Sequence, residues 1–197
     1  MTTPDSGAAD LDAAKAELRR RIVTARRALA GDRREAEAAA LAVAVAALAA
    51  AGETVCAYWP VGTEPGSPAM IDGLLARGVR VLLPVVSGEG TLDWAEHAGE
   101  LRAGPFGLLE PAGAALGAAA ITEAGLVLVP ALAVGRDGLR LGRGGGYYDR
   151  SLPLARPGVP LVAVVRDEEL LETVPAAPHD MRVTAALTPG AGLVPLT

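Results

Sequence analysis

The feature that most constrains the fold is a series of short apolar runs that alternate with helix-like segments. Residues 126–129, 161–165 and 183–187 consist of Leu, Val and Ala, with Thr184 as the one exception. Strands that are buried on both faces have this composition, and they occur in parallel sheets whose faces are covered by helices. Because strand-like and helix-like segments alternate along the chain, we expect a protein of the α/β class.

Apolar spacing and end signals locate the other elements. Helices are predicted at residues 11–30, 32–51, 68–78, 147–155 and 167–173, and further strands at 54–58, 80–84 and 92–97. Asp32 and Glu35 have the spacing of a capping box, and Ser67 precedes a proline at the first helical position. We therefore expect one domain over residues 11–197, built on an open, mostly parallel, three-layer, Rossmann-like sheet with an N-terminal pair of helices. Residues 1–10 are predicted to be a disordered tail.

Composition and charge exclude several classes of protein. Hydrophobic residues make up 51% of the chain, which argues against disorder, and the net charge of −5 argues against a nucleic-acid binder that works through overall charge. The N-terminus lacks the basic start and apolar stretch of a signal peptide, and the Ala-rich segment 38–51 is shorter than the about 20 residues of a membrane span. We expect a cytoplasmic protein with no membrane contact. The single cysteine, Cys56, lies in an apolar run and is predicted to be a buried core residue.

A glycine-rich run at residues 140–149, Arg-Leu-Gly-Arg-Gly-Gly-Gly-Tyr-Tyr-Asp, carries the strongest functional signal. Glycine lets the backbone bring N–H groups close to an anion, and the N-terminus of the following helix would add partial positive charge. Arg140 and Arg143 can each fork onto phosphate oxygens, and Asp149 offers an oxygen ligand for the Mg²⁺ that accompanies ATP. The run is neither a Walker A motif nor a dinucleotide fingerprint. The alternative is a flexible turn with two solvated arginines, but the packing of these residues into one run favours phosphate binding.

The same run carries a resemblance to a known family. Pro-Ala-Leu-Ala at residues 130–133, followed by residues 138–150, closely resembles the signature of the 5-formyltetrahydrofolate cyclo-ligases, and the resemblance extends from Lys15 to about Thr188. It implies ATP-driven closure of 5-formyltetrahydrofolate to 5,10-methenyltetrahydrofolate with release of ADP and phosphate. Mg²⁺ is then the expected cofactor, with ATP as co-substrate and no nucleic-acid partner. We expect the protein to act as a monomer.

The resemblance also implies which residues form the site. Expected ATP-binding residues are Lys15, Arg19, Arg140, Leu141, Gly142, Arg143, Gly144, Gly145, Gly146, Tyr147 and Tyr148. Expected folate-binding residues are Trp59, Glu64, Phe106, Arg143, Gly144, Gly145, Gly146 and Tyr147. Asp149 and Asp180 are the expected metal ligands. Arg143 alone interrupts the glycine run, so it is our candidate for stabilising the transferring phosphoryl group.

The first helix offers a test of this assignment. At about 100° per residue, Lys15, Arg19 and Arg26 fall within about 40° of one another beside the apolar stripe, where they can reach a bound anion. The other arginines of the helix, Arg20, Arg21 and Arg27, point away. Periodicity alone favours side chains that snorkel around an apolar stripe. The resemblance of residues 15–19 to the ATP-binding Lys-x-x-Leu-Arg element favours phosphate contact, and Arg26 has no such support.

Several positions and functions stay open. Pro-Gly-Ser-Pro at residues 65–68 replaces the Val-Asp-Thr-like segment that the family usually has after Glu64, and Gly135 stands where relatives often have Asp. Phe106 is as compatible with a core position as with a folate contact, and Asp180 with a turn as with a metal site. Trp94 is predicted to pack within a strand, Gly135 to form a turn, and His179 to lie at the surface or behind the site. The alternative functions are another small-molecule kinase or ligase with the same phosphate loop, and a non-catalytic RNA-associated module that uses the arginines of the first helix.

Overall fold

The computed structural model describes residues 6–88, 90–177 and 180–197. The α-helices are α1 (Ser6–Ala28), α2 (Gly31–Ala46), α3 (Pro68–Ala76) and α4 (Tyr147–Ser151). The strands are β1 (Thr54–Cys56), β2 (Arg80–Val86), β3 (Leu92–Glu96), β4 (Leu101–Ala103), β5 (Leu109–Pro111), β6 (Leu126–Pro130), β7 (Ala133–Gly135), β8 (Arg140–Leu141), β9 (Leu161–Val164), β10 (Leu170–Leu171), β11 (Ala185–Thr188) and β12 (Gly192–Pro195). Short 3₁₀ helices cover Pro105–Gly107, Ala118–Glu123, Leu152–Leu154 and Asp167–Glu169.

A seven-stranded sheet in the order β12-β11-β9-β6-β1-β2-β3 forms the centre of the fold. The five strands from β11 to β2 run parallel, and the edge strands β12 and β3 are antiparallel to their neighbours. Val55 of β1 lies opposite Val81 on one side and Leu126 on the other. The predicted α/β class and mostly parallel sheet are therefore confirmed. The connections change direction between β1 and β6, and ligands of open α/β sheets bind at the carboxyl ends of the strands beside such a point.

Both faces of this sheet are buried, as the continuously apolar strands require. On one face Leu126 and Leu128 of β6 pack against α2 and α3, which contribute Leu41, Ile71 and Leu74 to the same core. On the other face Val127 and Val129 pack with residues of β3, α4 and the flanking 3₁₀ helices, including Trp94, Ile121 and Leu152. The buried positions of Trp94 and Cys56 match their predicted packing roles.

Helix α1 packs on a separate three-stranded sheet, β10-β7-β8. Leu18 and Ile22 of α1 contact a small core that includes Leu132, Ala133 and Leu141. Because Leu141 belongs to β8, this packing places the buried side of α1 next to the glycine-rich run that follows β8.

The structure corrects the predicted start of α1 and the predicted limits of α2. Helix α1 begins at Ser6, so the predicted tail is helical over residues 6–10. Helix α2 begins at Gly31 and ends at Ala46, five residues before the predicted end. Its N-cap residue, Ala30, has no side-chain cap, and the Asp32 carboxylate accepts a hydrogen bond from the Arg33 N–H instead of closing a capping box. Asp32 therefore lies inside the first turn, where the helix dipole favours an acidic residue.

The predicted helix at 167–173 is also wrong. The chain makes one 3₁₀ turn at Asp167–Glu169 and then enters β10, where Leu170 pairs with Val134 of β7. This pairing joins segments that are far apart in the chain, so tertiary contacts override the local helical pattern. No helix within the described ranges is long and apolar enough to cross a membrane.

Candidate active site

A cavity of about 630 Å³ opens at the carboxyl ends of β1, β2 and β6. Tyr58 and Trp59 follow β1, Pro84 and Val86 lie near the end of β2, and residues 130–132 end β6 and follow it. The volume lies within the range of small-molecule sites, about 300–1,000 Å³. The cavity therefore occupies the place where an α/β sheet of this topology binds ligands.

Every residue predicted from the sequence to form the site lines this one cavity. These residues are Lys15, Arg19, Trp59, Glu64, Phe106, Arg140, Leu141, Gly142, Arg143, Gly144, Gly145, Gly146, Tyr147, Tyr148, Asp149 and Asp180. They come from five separate parts of the chain. Their individual roles stay predictions.

The glycine-rich run forms a turn between β8 and α4, and two of its glycines have left-handed backbone. Gly144 has φ of 103° and Gly146, the N-cap of α4, has φ of 67°. A Cβ atom at Gly146 would lie 2.7 Å from Nη1 of Arg150, and one at Gly144 would lie 3.6 Å from Cζ of Arg19. The backbone course of the run therefore depends on glycine, since other residues adopt such φ values at a cost.

Arg140 is buried beneath this turn. Its Nη2 atom donates to Oδ1 of Asp149 at 2.8 Å, and its guanidinium lies 5.6 Å from the centre of the Tyr148 ring. Burial lowers the pKa of Arg140, and the nearby Asp149 partly opposes that shift. Within the described ranges the buried Nε atom of Arg140 has no hydrogen-bond partner. Arg140 thus orients Asp149 at the wall of the cavity.

Two cationic residues of α1 reach the cavity from the side. Nζ of Lys15 donates to Oδ2 of Asp180 at 2.6 Å, and the same oxygen accepts from the N–H of Ala177 at 2.7 Å. Nε of Arg19 donates to the carbonyl of Gly142 at 2.9 Å, which ties α1 to the glycine-rich turn. Asp180 therefore serves in a turn and also faces the cavity.

The burial of the basic side chains of α1 agrees with the predicted helical angles. Lys15 and Arg26 are buried and Arg19 is partly buried, whereas Arg20, Arg21 and Arg27 are exposed. Arg26 lines the cavity but is paired with Glu169, through contacts of 2.6 and 2.7 Å, and it also donates to the carbonyl of Ala131 at 2.8 Å. The charge of Arg26 is therefore balanced within the protein.

Glu64 stands opposite the glycine-rich turn. Its Oε1 atom lies 3.1 Å from Nε of Arg143, and its Oε2 atom accepts from the N–H of Val61 at 3.0 Å. The Glu64 side chain is almost buried, while that of Arg143 is 60% exposed. One carboxylate thus bridges the two loops that are predicted to hold the two substrates.

Trp59 packs edge-on against His97, with ring centres 5.4 Å apart. His97 is buried, and burial lowers the pKa of its imidazole, an effect that the charge of Asp72 partly offsets. His97 therefore favours the neutral form of its imidazole. It fixes one side of the Trp59 ring, which lines the cavity.

Phe106 lies at the mouth of the cavity and not in the core. It is 80% exposed, on the turn between β4 and β5, and it has left-handed backbone with φ of 58° and ψ of 21°. Leu108 and Leu109 from the same hairpin also line the cavity. The core alternative for Phe106 is therefore wrong.

The remaining predicted positions can be placed as follows. Gly135 ends β7 and accepts from the N–H of Gly138 at 2.9 Å, so it opens the turn to β8, as predicted. Burial raises the pKa of the Cys56 thiol, which agrees with a core role. His179 lies outside the described residues.

Sequence reasoning missed several lining residues. Asp12, Tyr58, Val61, Leu108 and Leu109 line the cavity but are not among the predicted site residues. Tyr58 could have been found because it is the last residue of a predicted strand, at the end where ligands bind. Leu108 and Leu109 lie in a hairpin of two three-residue strands, which are too short for apolar periodicity to mark them.

Comparison with known proteins identifies the family. Residues 11–189 match the model of the 5-formyltetrahydrofolate cyclo-ligase family. The chain belongs to this family. A relative from Mycolicibacterium smegmatis, named 5-formyltetrahydrofolate cyclo-ligase, is 48% identical over 188 residues, which are 92% of this chain and 97% of the relative. The cyclo-ligase family consists of ligases, and its reaction is the ATP-dependent cyclisation of 5-formyltetrahydrofolate.

Solved structures agree with the fold of this cyclo-ligase family member. The chain is similar to the 5,10-methenyltetrahydrofolate synthetase of Aquifex aeolicus, with 24% identity, a TM-score of 0.74 and 92% of each chain covered. It is also similar to the 5,10-methenyltetrahydrofolate synthetase of Mycoplasma pneumoniae, with 19% identity and a TM-score of 0.70, over 87% of this chain and 96% of that one. At these identities the likeness supports the α/β architecture.

Proposed function

We propose that the cavity binds ATP and 5-formyltetrahydrofolate together and forms 5,10-methenyltetrahydrofolate, ADP and phosphate. The observation that carries the proposal is the convergence of two loops on one cavity. The glycine-rich turn lines one part of it, and the loop that bears Trp59 and Glu64 lines another. Glu64 and Arg143 make contact where the two loops meet.

The ATP part of the site is the glycine-rich turn together with α1. Lys15 and Arg19 supply positive charge from the side, and the backbone at residues 142–146 can approach the phosphates closely because glycine has no Cβ. Phosphoryl transfer needs mainly positioning and charge stabilisation. A site built from cations and backbone meets this need without a nucleophilic side chain.

The folate part of the site is formed by Glu64, Trp59 and Phe106. The Glu64 carboxylate suits the adjacent N–H donors of a pterin ring, since a carboxylate accepts two hydrogen bonds side by side. The exposed ring of Phe106 and the indole of Trp59 offer apolar surface to the rest of the substrate.

The chemistry proceeds by activation of the formyl oxygen. The γ-phosphoryl group moves from ATP to that oxygen, which leaves ADP and turns a poor leaving group into a good one. The lone pair of N10 then attacks the formyl carbon, the C–O bond breaks with departure of phosphate, and N10 loses its proton. We assign Arg143 to the transferring phosphoryl group because its exposed side chain can turn from Glu64 toward the phosphates.

Asp149 and Asp180 would hold Mg²⁺ beside the phosphates. Mg²⁺ is usually bound by one or two carboxylates together with substrate phosphates and water, and both carboxylates line the cavity. In the protein each is paired with a cation, Asp149 with Arg140 and Asp180 with Lys15. When bound, the ion would neutralise phosphate charge, and the pairing with Arg140 and Lys15 keeps the two carboxylates oriented.

The proposal is tested by mixing the purified protein with 5-formyltetrahydrofolate and MgATP and following the absorbance of the methenyl product. Product formation that requires ATP supports it. ATP turnover without methenyl product would favour another kinase or ligase. RNA binding with strong salt dependence would favour the RNA-associated module, for which the exposed residues Arg20, Arg21 and Arg27 are available.

The proposal includes four finer points. The buried faces of the central sheet and its strand order support a three-layer, Rossmann-like description of a single domain over residues 11–197. A cytoplasmic location and a monomeric state are expected for an enzyme of small substrates. The absence of nucleic-acid and membrane partners likewise stays a prediction.

A further inference from the structure

The loop at residues 58–66, here the Glu64 loop, is held on both sides of Glu64 by buried side chains. The hydroxyl of Tyr58 donates to the carbonyl of Pro65 at 2.8 Å. On the other side, Nη1 of Arg166 donates to the carbonyl of Thr63 at 3.2 Å. The backbone carbonyls of the two residues on either side of Glu64, Thr63 and Pro65, are thus both hydrogen-bonded. One of the two donors, Arg166, is 103 residues away from Thr63 in the chain.

Arg166 is itself rigidly placed. It follows β9, its side chain is 3% exposed, and its Nε atom donates to Oε2 of Glu37 on α2 at 2.8 Å. Its backbone N–H donates to Oε2 of Glu169 at 2.9 Å, and the same Glu169 is paired with Arg26. A buried guanidinium is tolerated because it is paired and hydrogen-bonded, and Glu37 and Glu169 provide that pairing.

Arg166 does not line the cavity, and its direct contact with the Glu64 loop is the hydrogen bond to the backbone of Thr63. Glu64 follows directly, and its Oε2 atom is fixed by the N–H of Val61 within the same loop. Any movement of the Thr63 carbonyl therefore moves the carboxylate that is proposed to receive the pterin.

We infer that Arg166 is a positioning residue for Glu64 and thereby sets the affinity of the site for the folate. The inference rests on the proposed function, in which Glu64 contacts the folate. Arg166 fixes the loop to the end of β9 and to α2, so the carboxylate is already in place before the folate binds. Loss of this contact weakens folate binding and leaves the ATP part of the site intact.

The first test is Arg166→Lys, which keeps the charge but loses the planar fork that joins Glu37 to Thr63. The KM for 5-formyltetrahydrofolate should rise about tenfold, the size expected for one charge-assisted hydrogen bond, with the KM for ATP and kcat changed less than about twofold. The matched control is Arg33→Lys. Arg33 donates to the same Glu37 at 2.7 Å, but its side chain is half exposed on α2, and the change should leave the folate KM unaltered. An equal rise in both substrates' KM values, or no rise, overturns the inference.

A second variant addresses folding. Arg166→Met combined with Glu37→Met replaces the buried ion pair by apolar side chains of similar volume, an exchange that proteins often tolerate. The Tm of this double variant should stay near that of the parent, while the folate KM rises as in Arg166→Lys. A double variant with parental Tm and parental folate KM would show that the contact with Thr63 is not needed.

The variant Glu64→Gln, alone and combined with Arg166→Lys, distinguishes the positioning role of Arg166 from the proposed folate role of Glu64. If Glu64→Gln alone leaves the folate KM unchanged, the folate role of Glu64 is wrong. If Glu64→Gln raises it and Arg166→Lys does not, only the positioning role is wrong. Because Arg166 acts through Glu64, adding Arg166→Lys to Glu64→Gln should raise the folate KM less than about twofold further, whereas a full second increase would mean that Arg166 acts by another route.

Discussion

Arg143 and Glu64 form an ion pair across the cavity, with Nε and Nη2 of Arg143 both 3.1 Å from Oε1 of Glu64. Glu64 is predicted to bind the folate, whereas Arg143 is predicted to bind ATP and also to contact the folate. ATP phosphates that attract Arg143 would therefore leave Oε1 of Glu64 available to the pterin donors. The two substrates meet at this pair, so substitutions of Arg143 report on both of them.

Arg143→Lys keeps the positive charge and removes the planar fork, so we expect it to impair catalysis. Loss of a charge-assisted contact of about 2–3 kcal/mol in the transition state corresponds to a fall of about 30- to 150-fold in kcat. The KM for ATP should change less, because loss of a contact made only in the transition state lowers kcat and kcat/KM together. Steady-state kinetics check this. Near-parental kcat would make Arg143 a positioning charge and Arg140 the leading candidate.

Lys15→Ala and Arg19→Ala should each raise the KM for ATP more than the KM for the folate. Both side chains face the cavity, where Arg19 also holds the carbonyl of Gly142. Arg20→Ala is the control from the same helix, since Arg20 is exposed and pairs with Glu17. Equal effects of all three substitutions on ATP would mean that α1 acts through diffuse charge.

Gly144→Ala should weaken ATP binding by forcing a Cβ into a backbone with φ of 103°. Gly158→Ala is a matched control, because Gly158 has φ of 80°, lies outside the cavity, and has no atom within 4 Å of the place that a Cβ would occupy. Both changes should lower the Tm by a similar amount. Calorimetric titration with ATP should detect a loss of affinity in Gly144→Ala alone, and unaltered affinity in both would remove the turn from the ATP site.

Removal of divalent metal with EDTA should abolish methenyl formation, and excess Mg²⁺ should restore it. Asp180→Asn and Asp149→Asn should each require more Mg²⁺ for half-maximal activity, because an amide is a weaker ligand than a carboxylate. Glu172→Gln, at an exposed carboxylate outside the cavity, should behave like the parent. Product formed equally well in EDTA would contradict the metal assignment.

The buried His97 should make stability depend on pH. Its pKa is lowered below the ordinary value of 6.5 in the folded protein, so the unfolded chain binds more protons between those two values. Titration of His97 therefore does not change the free energy of unfolding well above pH 6.5. It lowers that free energy as the pH drops from 6.5 toward the pKa of the folded state. Urea unfolding at pH 7.5 and 5.5 should show a larger loss for the parent than for His97→Gln, and identical losses would exclude His97 as the source.

The central sheet could be predicted because composition marks strands that are buried on both faces. Residues 126–129 and 161–165 contain no polar side chain, and they form β6 and β9 in the interior of the parallel sheet. The edge strand β12 alternates between partly buried and exposed positions over four residues, and no composition signal marks it. Short strands such as β10 exist because of pairing with distant segments, which periodicity does not record.

The glycine-rich part of the candidate site could be predicted because its residues lie close together in the chain. The run at 140–149 contains its cations, glycines and carboxylate within ten positions, so a local motif describes it. The hydrogen bond that supports the Glu64 loop is different, because Arg166 and Thr63 are far apart in the chain and come together only when the sheet folds. Contacts of this kind carry no local pattern, so their roles could not be read from one sequence.

The left-handed backbone of Phe106 has a consequence for engineering. Left-handed backbone at a non-glycine residue raises the free energy of the folded, unliganded protein by about 1 kcal/mol, and the exposed ring of Phe106 makes few contacts to offset that cost. Phe106→Gly would relieve that strain and would also remove an aromatic surface from the cavity mouth. Because Phe106 is proposed to contact the folate, a directed-evolution campaign that screens only for heat resistance should enrich variants at this position with lower turnover. Stability and activity therefore need to be selected in the same round.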